Sequence, residues 1–324
     1  MNPIKVTIVI PTYNRKEMLK ETLNSLFNQT YSKDKYEIIV CDDGSIDGTE
    51  EIVKELIKDS PCVLRYLKQE NRGPASARNL GIDNAVGDII GFTDDDCVVS
   101  NTWIENAVPY FNNKTVGGVV GSTRPQKSPT QEIFKAVHVM QIDEDEGSYA
   151  TCNIFYSKNV LIEVGGFDTE FKRAFCEDTD LGWRIKNKNY RICFDENILV
   201  YHIVIYRSII QHLKSLRKYE SVVLLYKKHP EHRNNLFIGF IYNKKHIYPI
   251  FTILFVISYL YGSNLSYIFI IFTVLAYLWA HVFVDFKIKN YPKRVVSFVY
   301  HIIPDTVRLF HAIRGSIYYR YLLI

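Results

Sequence analysis

The chain has 324 residues, of which 47% are hydrophobic and 23% charged, and its formal net charge is +4. This length exceeds that of a usual single domain, so we expect one catalytic domain with an appendage. The six cysteines lie far apart without a Cys-x-x-Cys pair, so nothing indicates a zinc knuckle or a dithiol redox motif. We expect them to be reduced residues of the core.

Charge is distributed unevenly along the chain. Residues 203–324 contain 16 Lys and Arg against 4 Asp and Glu, whereas residues 1–202 contain 23 against 31. A basic, aromatic-rich segment can bind nucleic acid or an anionic lipid surface, and its long apolar runs favour the lipid. We therefore expect membrane lipids, and no nucleic acid, as partners of this region.

The first 205 residues alternate between strand and helix patterns. Apolar runs at residues 6–10, 36–41 and 88–93 are typical of strands buried on both faces of a parallel sheet. Helical patterns follow Asn14 and Asp47, which we interpret as N-caps. The alternation predicts an α/β fold with a doubly wound, mainly parallel sheet, which binds ligands at the carboxyl ends of its strands.

Polar residues follow each of these predicted strands. The sequence Asp94-Asp95-Asp96 offers carboxylate oxygens, the ligands that Mg²⁺ and Mn²⁺ prefer, although acidic turns are also common without a metal. Asp42 and Asp43 can accept hydrogen bonds from a base or a ribose, or form an Asx turn that caps the next helix. These strand ends are the candidate site.

The character of the chain changes after residue 205. Residues 206–245 interleave aliphatic and basic side chains, which indicates either an amphipathic helical region at a membrane interface or an ordinary surface helix. Residues 287–324 form a basic amphipathic tail. We expect an α-helical, membrane-associated C-terminal region after a catalytic domain of residues 1–205.

A two-helix transmembrane hairpin is predicted for residues 246–286. Segments 247–262 and 267–284 carry no charged residue, and the second is long enough to span a bilayer. Lys244 and Lys245 precede the pair, and Lys287 and Lys289 follow it, so both ends are expected in the cytoplasm. A buried hairpin of a soluble protein is the alternative.

The N-terminus supports the same location. Its apolar run ends at Pro11 after five residues, which is too short for the core of a signal peptide. We therefore expect a protein of the cell membrane whose catalytic domain faces the cytoplasm.

Five ordered motifs over residues 4–205 resemble one family, the inverting glycosyltransferases of family two, which have the GT-A fold. Each motif alone is weak, but their joint order and spacing are specific. The motifs are VTIVIPTYNR (6–15), YEIIVCDDGSIDGT (36–49), NRGPASARNLGI (71–82), FTDDDC (92–97), and GGFD with CEDTDLGWR (165–168 and 176–184).

The resemblance implies a donor site for a nucleotide-diphosphate sugar, with a uridine nucleotide as the default. Asp96 of the family's DxD motif would bind a divalent metal, Mn²⁺ or Mg²⁺, and His202 matches a histidine that completes this metal site in some relatives. A structural role for this histidine is the alternative. The other matching positions would bind the nucleotide sugar: Pro11, Thr12, Tyr13, Asp42, Asp43, Asn71, Gly73, Arg78, Asp94 and Asp95.

The same resemblance implies the catalytic carboxylates. Asp178 would be the general base that takes the proton of an attacking hydroxyl, and Glu177 would orient the acceptor or the donor. The expected acceptor is a hydroxyl, such as a sugar on a lipid-linked glycan. Trp183 would form a sugar-stacking platform or, more simply, part of the core.

Three other functions remain compatible with the sequence, and one is a nucleotidyltransferase, which shares the expected fold, although no glycine- and lysine-rich phosphate loop follows Pro11. A polyprenyl-phosphate sugar synthase shares the expected fold, but its phosphate acceptor is already ionised and hardly needs the base that Asp178 offers. A degenerate transferase serving as a membrane scaffold would lack some of the carboxylates present here. A dinucleotide-dependent oxidoreductase is excluded because no Gly-x-Gly-x-x-Gly follows the first strand. No pattern indicates an oligomeric state.

Overall fold

The structure is a computed structural model that describes residues 5–127, 135–145, 147–236, 241, 243, 246–278 and 298–323. The chain forms two compact units, Met1–Ser208 and Ile209–Ile324. Residues 279–297, which include the end of the predicted hairpin together with Lys287 and Lys289, lie outside the described part, as do Lys244 and Lys245.

One half of the sheet in the first unit is parallel. Its strands lie in the order β3-β2-β1-β4, with a helix in each connection, as the predicted alternation requires. Strands β1 and β2 are buried along almost their whole length, because they carry uninterrupted apolar runs. The strands are β1 (Val6–Thr12), β2 (Tyr36–Asp42), β3 (Val63–Lys68) and β4 (Ile89–Phe92), and the helices are α1 (Lys16–Phe27), α2 (Thr49–Lys58) and α3 (Pro74–Asn84).

The other half of the sheet is mixed, so the predicted parallel character holds for four of the seven strand pairings of the described sheet, among them β6 with β9. The order continues from β4 as β8-β6-β9-β5, where β8 is antiparallel to both β4 and β6, and β5 is antiparallel to β9. Only four residues separate β4 from β5, too few for the crossover helix that a parallel pair needs. The strands are β5 (Cys97–Val99), β6 (Val116–Pro125), β7 (Lys135–His138), β8 (Ile154–Ser157), β9 (Arg191–His202) and β10 (Ile205–Ser208).

Three further helices and a small second sheet complete the first unit. Strands β7 and β10 form an antiparallel pair outside the main sheet, so His138 lies opposite Ile205. The helices are α4 (Trp103–Ala107), α5 (Lys158–Val164) and α6 (Glu177–Asn187), and α6 carries both predicted catalytic carboxylates in its first turn.

Apolar side chains form one cluster on each face of the main sheet. Ile8 belongs to one cluster and Val9 to the other, because successive side chains of a strand point to opposite faces. Helix α1 adds Leu23 to the first cluster, and α6 adds Leu181 to the second. Trp183 is partly buried and packs against the second cluster, which agrees with its interpretation as part of the core.

The first turns of α1 and α2 are joined by one carboxylate. Asp47 accepts hydrogen bonds from the backbone N–H of Lys16 (3.1 Å) and of Thr49 (3.2 Å), so it caps the starts of two helices. Asn14 was predicted to cap α1, and this prediction is wrong. It has a positive φ of 53° and its side-chain oxygen accepts from the N–H of Ile46 instead.

We expect Gly121→Ala to destabilise the first unit by about 1–3 kcal/mol or more, because added atoms in a packed interior force neighbours to move. A Cβ at this position of β6 would lie 1.9 Å from the backbone oxygen of Ile198 in β9. Urea unfolding monitored by circular dichroism measures the loss. Arg124→Ala in the same strand is the control, since its half-exposed side chain predicts a change within about 0.5 kcal/mol. Equal effects of the two changes would contradict the close packing.

The second unit is helical. Four apolar residues of α8 are buried, among them Val223, which lies against Gly315 of α11. Glu220 adds contacts with His311 (3.1 Å) and Arg314 (3.5 Å) of α11. The helices are α7 (Ile209–Ser215), α8 (Glu220–Lys228), α9 (Ile247–Leu260), α10 (Leu265–Leu278) and α11 (Phe298–Tyr319), with 3-10 turns at Leu216–Tyr219 and Pro230–Asn235.

Helices α9 and α10 form a pair where the transmembrane hairpin was predicted. Each has 14 described residues, about 21 Å at 1.5 Å per residue, whereas a span needs about 20 residues. Within the ranges that the structure describes, no helix combines the length and the apolar character needed to cross a bilayer. The transmembrane prediction is therefore not supported. Many of the apolar side chains of this pair are exposed, such as Leu260, Tyr267 and Ile271.

Candidate active site

The carboxyl ends of β1, β2 and β4 bring together the residues predicted to bind a nucleotide sugar. Thr12, at the end of β1, donates a hydrogen bond to Asp95 Oδ2 (2.8 Å), which ties the first strand end to the acidic turn after β4. Pro11 is half-buried in the same strand end, and Tyr13, just beyond it, is 47% exposed. The side chain of Tyr13 is therefore accessible to a ligand.

Asp42 ends β2 and Asp43 directly follows it, and both carboxylates hold nearby segments of the chain. Asp42 is fully buried and accepts from the N–H of Ser45 (2.7 Å) and the hydroxyl of Tyr66 (2.5 Å). Asp43 accepts from the backbone N–H of Arg72 (2.9 Å) and Gly73 (2.8 Å). These bonds fix the loop before α3 at the strand ends, so an organising role accompanies any binding role.

Two predicted nucleotide-site residues lie in that loop. Asn71 is exposed, and Gly73 has a φ of +94°, a conformation that side chains rarely adopt. A Cβ on Gly73 would also lie 3.2 Å from the backbone oxygen of Lys172. Glycine at this position therefore allows the loop to pass close to a second segment of the chain.

Arg78 joins the two acidic groups of the site. It is buried in α3, and its guanidinium donates to Asp94 Oδ1 (3.0 Å) and to Glu177 Oε1 (2.8 Å). It also lies over the ring of Phe167 at 5.6 Å. The sequence predicted Arg78 near the nucleotide and its diphosphate, and the structure adds that Arg78 holds the acidic turn after β4 next to the first turn of α6.

Arg15 is a site residue that the sequence analysis did not identify. Its Nη1 lies 3.0 Å from Asp95 Oδ1 and 2.9 Å from Asp96 Oδ2. Burial raises the pKa of Asp95 to about 6, although Arg15 lowers it, and burial also raises the pKa of Asp96. The positive charge of the partly exposed Arg15 therefore offsets the negative charge of two buried carboxyl groups. Arg15 is the last residue of the first motif, VTIVIPTYNR, and this position was the signal that could have identified it.

Asp96 and His202 lie close enough to share a metal ion. His202 ends β9, and its Nε2 lies 3.4 Å from Asp96 Oδ1. The Nδ1 atom lies 2.8 Å from the carbonyl oxygen of Ile203, which can only accept, so Nδ1 carries a proton and donates. In a neutral imidazole, Nε2 is then an acceptor facing another acceptor, an arrangement that a cation between them would satisfy. The donor set fits a divalent metal.

Two other side chains near this pair were not predicted from the sequence. Cys97 of β5 pairs with His202 of β9 in the sheet, and its Sγ lies 3.9 Å from Asp96 Oδ1. The ring of His138 in β7 lies 6.1 Å from the ring of His202. Both depend on pairings between distant strands, which no local pattern indicates.

Glu177 and Asp178 begin α6, directly after Cys176, whose φ is +75°. One oxygen of the buried Glu177 binds Arg78, and the other, Oε2, has no hydrogen-bond partner among the described residues. Burial and the neighbouring Glu177 raise the pKa of Asp178 to about 7. A carboxyl group with this pKa can accept a proton at neutral pH and release it again.

The family model described as "Glycosyl transferase family 2" matches residues 7–176. "Glycosyltransferase AglE" of Haloferax volcanii is 31% identical over 205 residues, covering 61% of this chain and 66% of the relative. "Glucosyl-dolichyl phosphate glucuronosyltransferase" of the same organism is 29% identical over 189 residues, covering 52% of this chain and 58% of the relative. The chain thus spans less than two thirds of the length of either relative.

Two solved structures have a similar fold. The mannosyltransferase PcManGT from Pyrobaculum calidifontis, in complex with GDP-Man and Mn²⁺, has a TM-score of 0.60 at 19% identity, covering 98% of this chain and 88% of that chain. S. aureus TarS 1-349, in complex with UDP-GlcNAc, has a TM-score of 0.52 at 20% identity, covering 68% of this chain and 66% of that one. At these identities the likeness shows the fold alone.

Proposed function

The chain belongs to glycosyl transferase family 2 and is a glycosyltransferase, and from this premise we propose that it transfers a sugar from a nucleotide-diphosphate donor to a hydroxyl with inversion. The observation that carries the proposal is the Arg78 bridge. It joins Asp94 of the acidic turn to Glu177, the neighbour of a carboxyl group with a raised pKa. Donor and acceptor chemistry can therefore meet at one place.

In the proposed donor site, the nucleoside lies along the ends of β1 and β2. Pro11, Thr12, Tyr13, Asp42 and Asp43 line this part, and the loop with Asn71 and Gly73 borders it. The exposed ring of Tyr13 supports this arrangement, as do the GDP-Man and UDP-GlcNAc complexes of the two structural neighbours. We take a uridine nucleotide as the default donor.

Asp96 and His202 would hold a divalent cation, Mn²⁺ or Mg²⁺, beside the donor diphosphate. When bound, the cation neutralises negative charge on the departing diphosphate. The facing acceptors Asp96 Oδ1 and His202 Nε2 support this assignment, and the mannosyltransferase neighbour was solved with Mn²⁺. Asp94 and Asp95 would supply the remaining negative charges on this side of the site.

Asp178 would act as the general base of a single displacement. The acceptor oxygen bonds to the anomeric carbon while the bond from that carbon to the diphosphate oxygen breaks, and the hydroxyl proton passes to Asp178. Arg78 holds Glu177 through one oxygen, and the second oxygen is buried without a hydrogen-bond partner among the described residues. The proposed role of Glu177, which directly precedes Asp178, is to orient the acceptor or the donor.

The raised pKa of Asp178 predicts a pH dependence. Below about pH 7 the carboxyl group is protonated and cannot accept a proton, so kcat/KM for the acceptor should fall about tenfold per pH unit on the acid side. Initial rates across this range measure the profile, with nucleotide binding measured in parallel because Asp95 also titrates near its pKa of about 6. A flat profile would contradict the assignment of the base.

We propose that the acceptor hydroxyl is on a lipid-linked glycan and that the protein works at a membrane surface. The glucuronosyltransferase relative, whose name gives a glucosyl-dolichyl phosphate, and the exposed apolar side chains of α9 and α10 support this proposal. The test offers one sugar acceptor either on a polyprenyl carrier in anionic vesicles or free in solution. Faster transfer to the free sugar would contradict the proposal. Transfer to bare polyprenyl phosphate would favour a polyprenyl-phosphate sugar synthase.

Calorimetric titration of the full chain tests the donor site first. UDP and GDP are each titrated with Mn²⁺ and again with EDTA, and we expect one nucleotide to bind only when the metal is present. The nucleotide that binds identifies the donor class for a subsequent sugar screen. Failure of both nucleotides to bind a folded protein would overturn the proposed transfer and favour a scaffold role.

A further inference from the structure

A thiol directly follows the acidic turn after β4, because Cys97 is the first residue of β5. One ligand atom from each of Asp96, Cys97 and His202 lies within 4.8 Å of the other two, and all three residues are buried. Asp96 Oδ1 is 3.4 Å from His202 Nε2 and 3.9 Å from Cys97 Sγ. Three different donor types therefore surround one small volume.

These separations are close to those that a tetrahedral ion imposes. Zn²⁺ bonds to sulfur at about 2.3 Å and to nitrogen and oxygen at about 2.0–2.2 Å, which places its ligand atoms about 3.3–3.7 Å apart. The two measured distances lie at or just above this range. Small movements of the Cys97 side chain would complete the geometry.

The surrounding bonds leave suitable lone pairs directed at this volume. Arg15 occupies Oδ2 of Asp96, so Oδ1 is the oxygen that faces Cys97 and His202. The carbonyl of Ile203 fixes the proton of His202 on Nδ1, so Nε2 is free to coordinate. Pairing of Cys97 with His202 between β5 and β9 holds the sulfur and the imidazole on neighbouring strands.

We propose that Asp96, Cys97 and His202 form a three-ligand site for a thiophilic divalent cation such as Zn²⁺, which binds without nucleotide. Soft thiolate ligands select such cations, whereas Mn²⁺ and Mg²⁺ prefer oxygen. Coordination releases the thiol proton of Cys97 to solvent, and water fills the fourth position. A thiophilic cation therefore competes with the donor metal for Asp96 and His202.

The site shares two ligands with the proposed donor metal site but does not require sugar transfer. Its test is therefore performed without nucleotide, so the two proposals can fail independently. The probe is Co²⁺, because a cobalt–thiolate bond gives a charge-transfer absorption band in the near ultraviolet that oxygen and nitrogen ligands do not give. The wild-type full chain is expected to develop this band on titration.

Cys97→Ser should abolish the band and lower the affinity for Zn²⁺ by more than the roughly 10- to 100-fold that loss of an outer-shell partner costs. Cys41→Ser is the matched control, because Cys41 is also fully buried but lies in β2, away from β5 and β9. This control should retain the band. Retention of the band in Cys97→Ser would overturn the assignment of the sulfur.

X-ray absorption of the zinc-loaded wild-type protein supplies a measurement that needs no variant. We expect one sulfur at about 2.3 Å in the first coordination shell, with nitrogen and oxygen at shorter distances. A shell of nitrogen and oxygen alone would overturn the proposal, even if Cys97→Ser fails to fold. Competition calorimetry should also show that Zn²⁺ weakens the apparent binding of Mn²⁺.

Discussion

Asp178→Asn is expected to lower turnover by at least about 100-fold, the lower end of the usual contribution of a general base. The amide has nearly the shape of the carboxylate but cannot take the proton of the attacking hydroxyl. Binding of the nucleotide with Mn²⁺ should stay within about twofold of wild type, because in the proposed site Asp178 does not contact the donor. Initial rates at saturating donor and calorimetric titration separate the two effects.

Asp83→Asn is the control for this substitution. It makes the same chemical change at an exposed position of α3, and we expect no change in turnover. An equal loss of nucleotide binding and turnover in Asp178→Asn would show that the residue supports the site as a whole and is not its base. The pH profile of the residual activity should also lose its acid limb.

Asp96→Asn should produce the second large effect. Stabilisation of the leaving diphosphate by a divalent cation is worth several kcal/mol, so weakening this metal site should lower turnover by about 100-fold or more. Asp96 Oδ1 faces His202 and Oδ2 binds Arg15, so the amide removes a metal ligand and the negative partner of a cation. We expect the Mn²⁺ concentration for half-maximal activity to rise.

Asp88→Asn is the matched control for Asp96→Asn. It lies beside β4 at the opposite end from the acidic turn and is exposed, so its activity and metal dependence should equal those of wild type. Rates of wild-type protein in EDTA provide a second test without any substitution. Undiminished activity in EDTA would show that the reaction needs no divalent metal and would overturn the role given to Asp96.

The sequence predicted local features of the fold more reliably than distant pairings. Strands β1, β2 and β4 coincide closely with predicted apolar runs, because burial on both faces requires continuous apolar residues. The cap of α1 was assigned to Asn14, yet Asp47 performs this role from another loop. The antiparallel position of β8 was also missed, since no local periodicity encodes strand direction.

The candidate site shows the same difference between local features, which were predicted, and contacts between distant residues, which were not. The sequence identified Asp94, Asp96, Glu177 and Asp178 because each lies in a motif, and the structure adds the connections between them. The sequence did not identify Arg15, because its partners Asp95 and Asp96 lie 80 and 81 positions away along the chain. The hairpin prediction is not supported within the described residues. Composition shows that a segment is apolar but not how long its helices are, and the two helices described there have 14 residues each.

The Arg78 bridge has a consequence for the order in which substrates bind. One guanidinium serves both Asp94, on the donor side, and Glu177, on the acceptor side. A donor that changes the charge around Asp94 changes how strongly Arg78 interacts with Asp94. It therefore also changes the interaction of Arg78 with Glu177. The enzyme should therefore follow an ordered kinetic scheme, donor first, in which a dead-end acceptor analogue inhibits uncompetitively against the donor. In a random scheme, the analogue would also bind the enzyme before the donor, and the inhibition would not be uncompetitive.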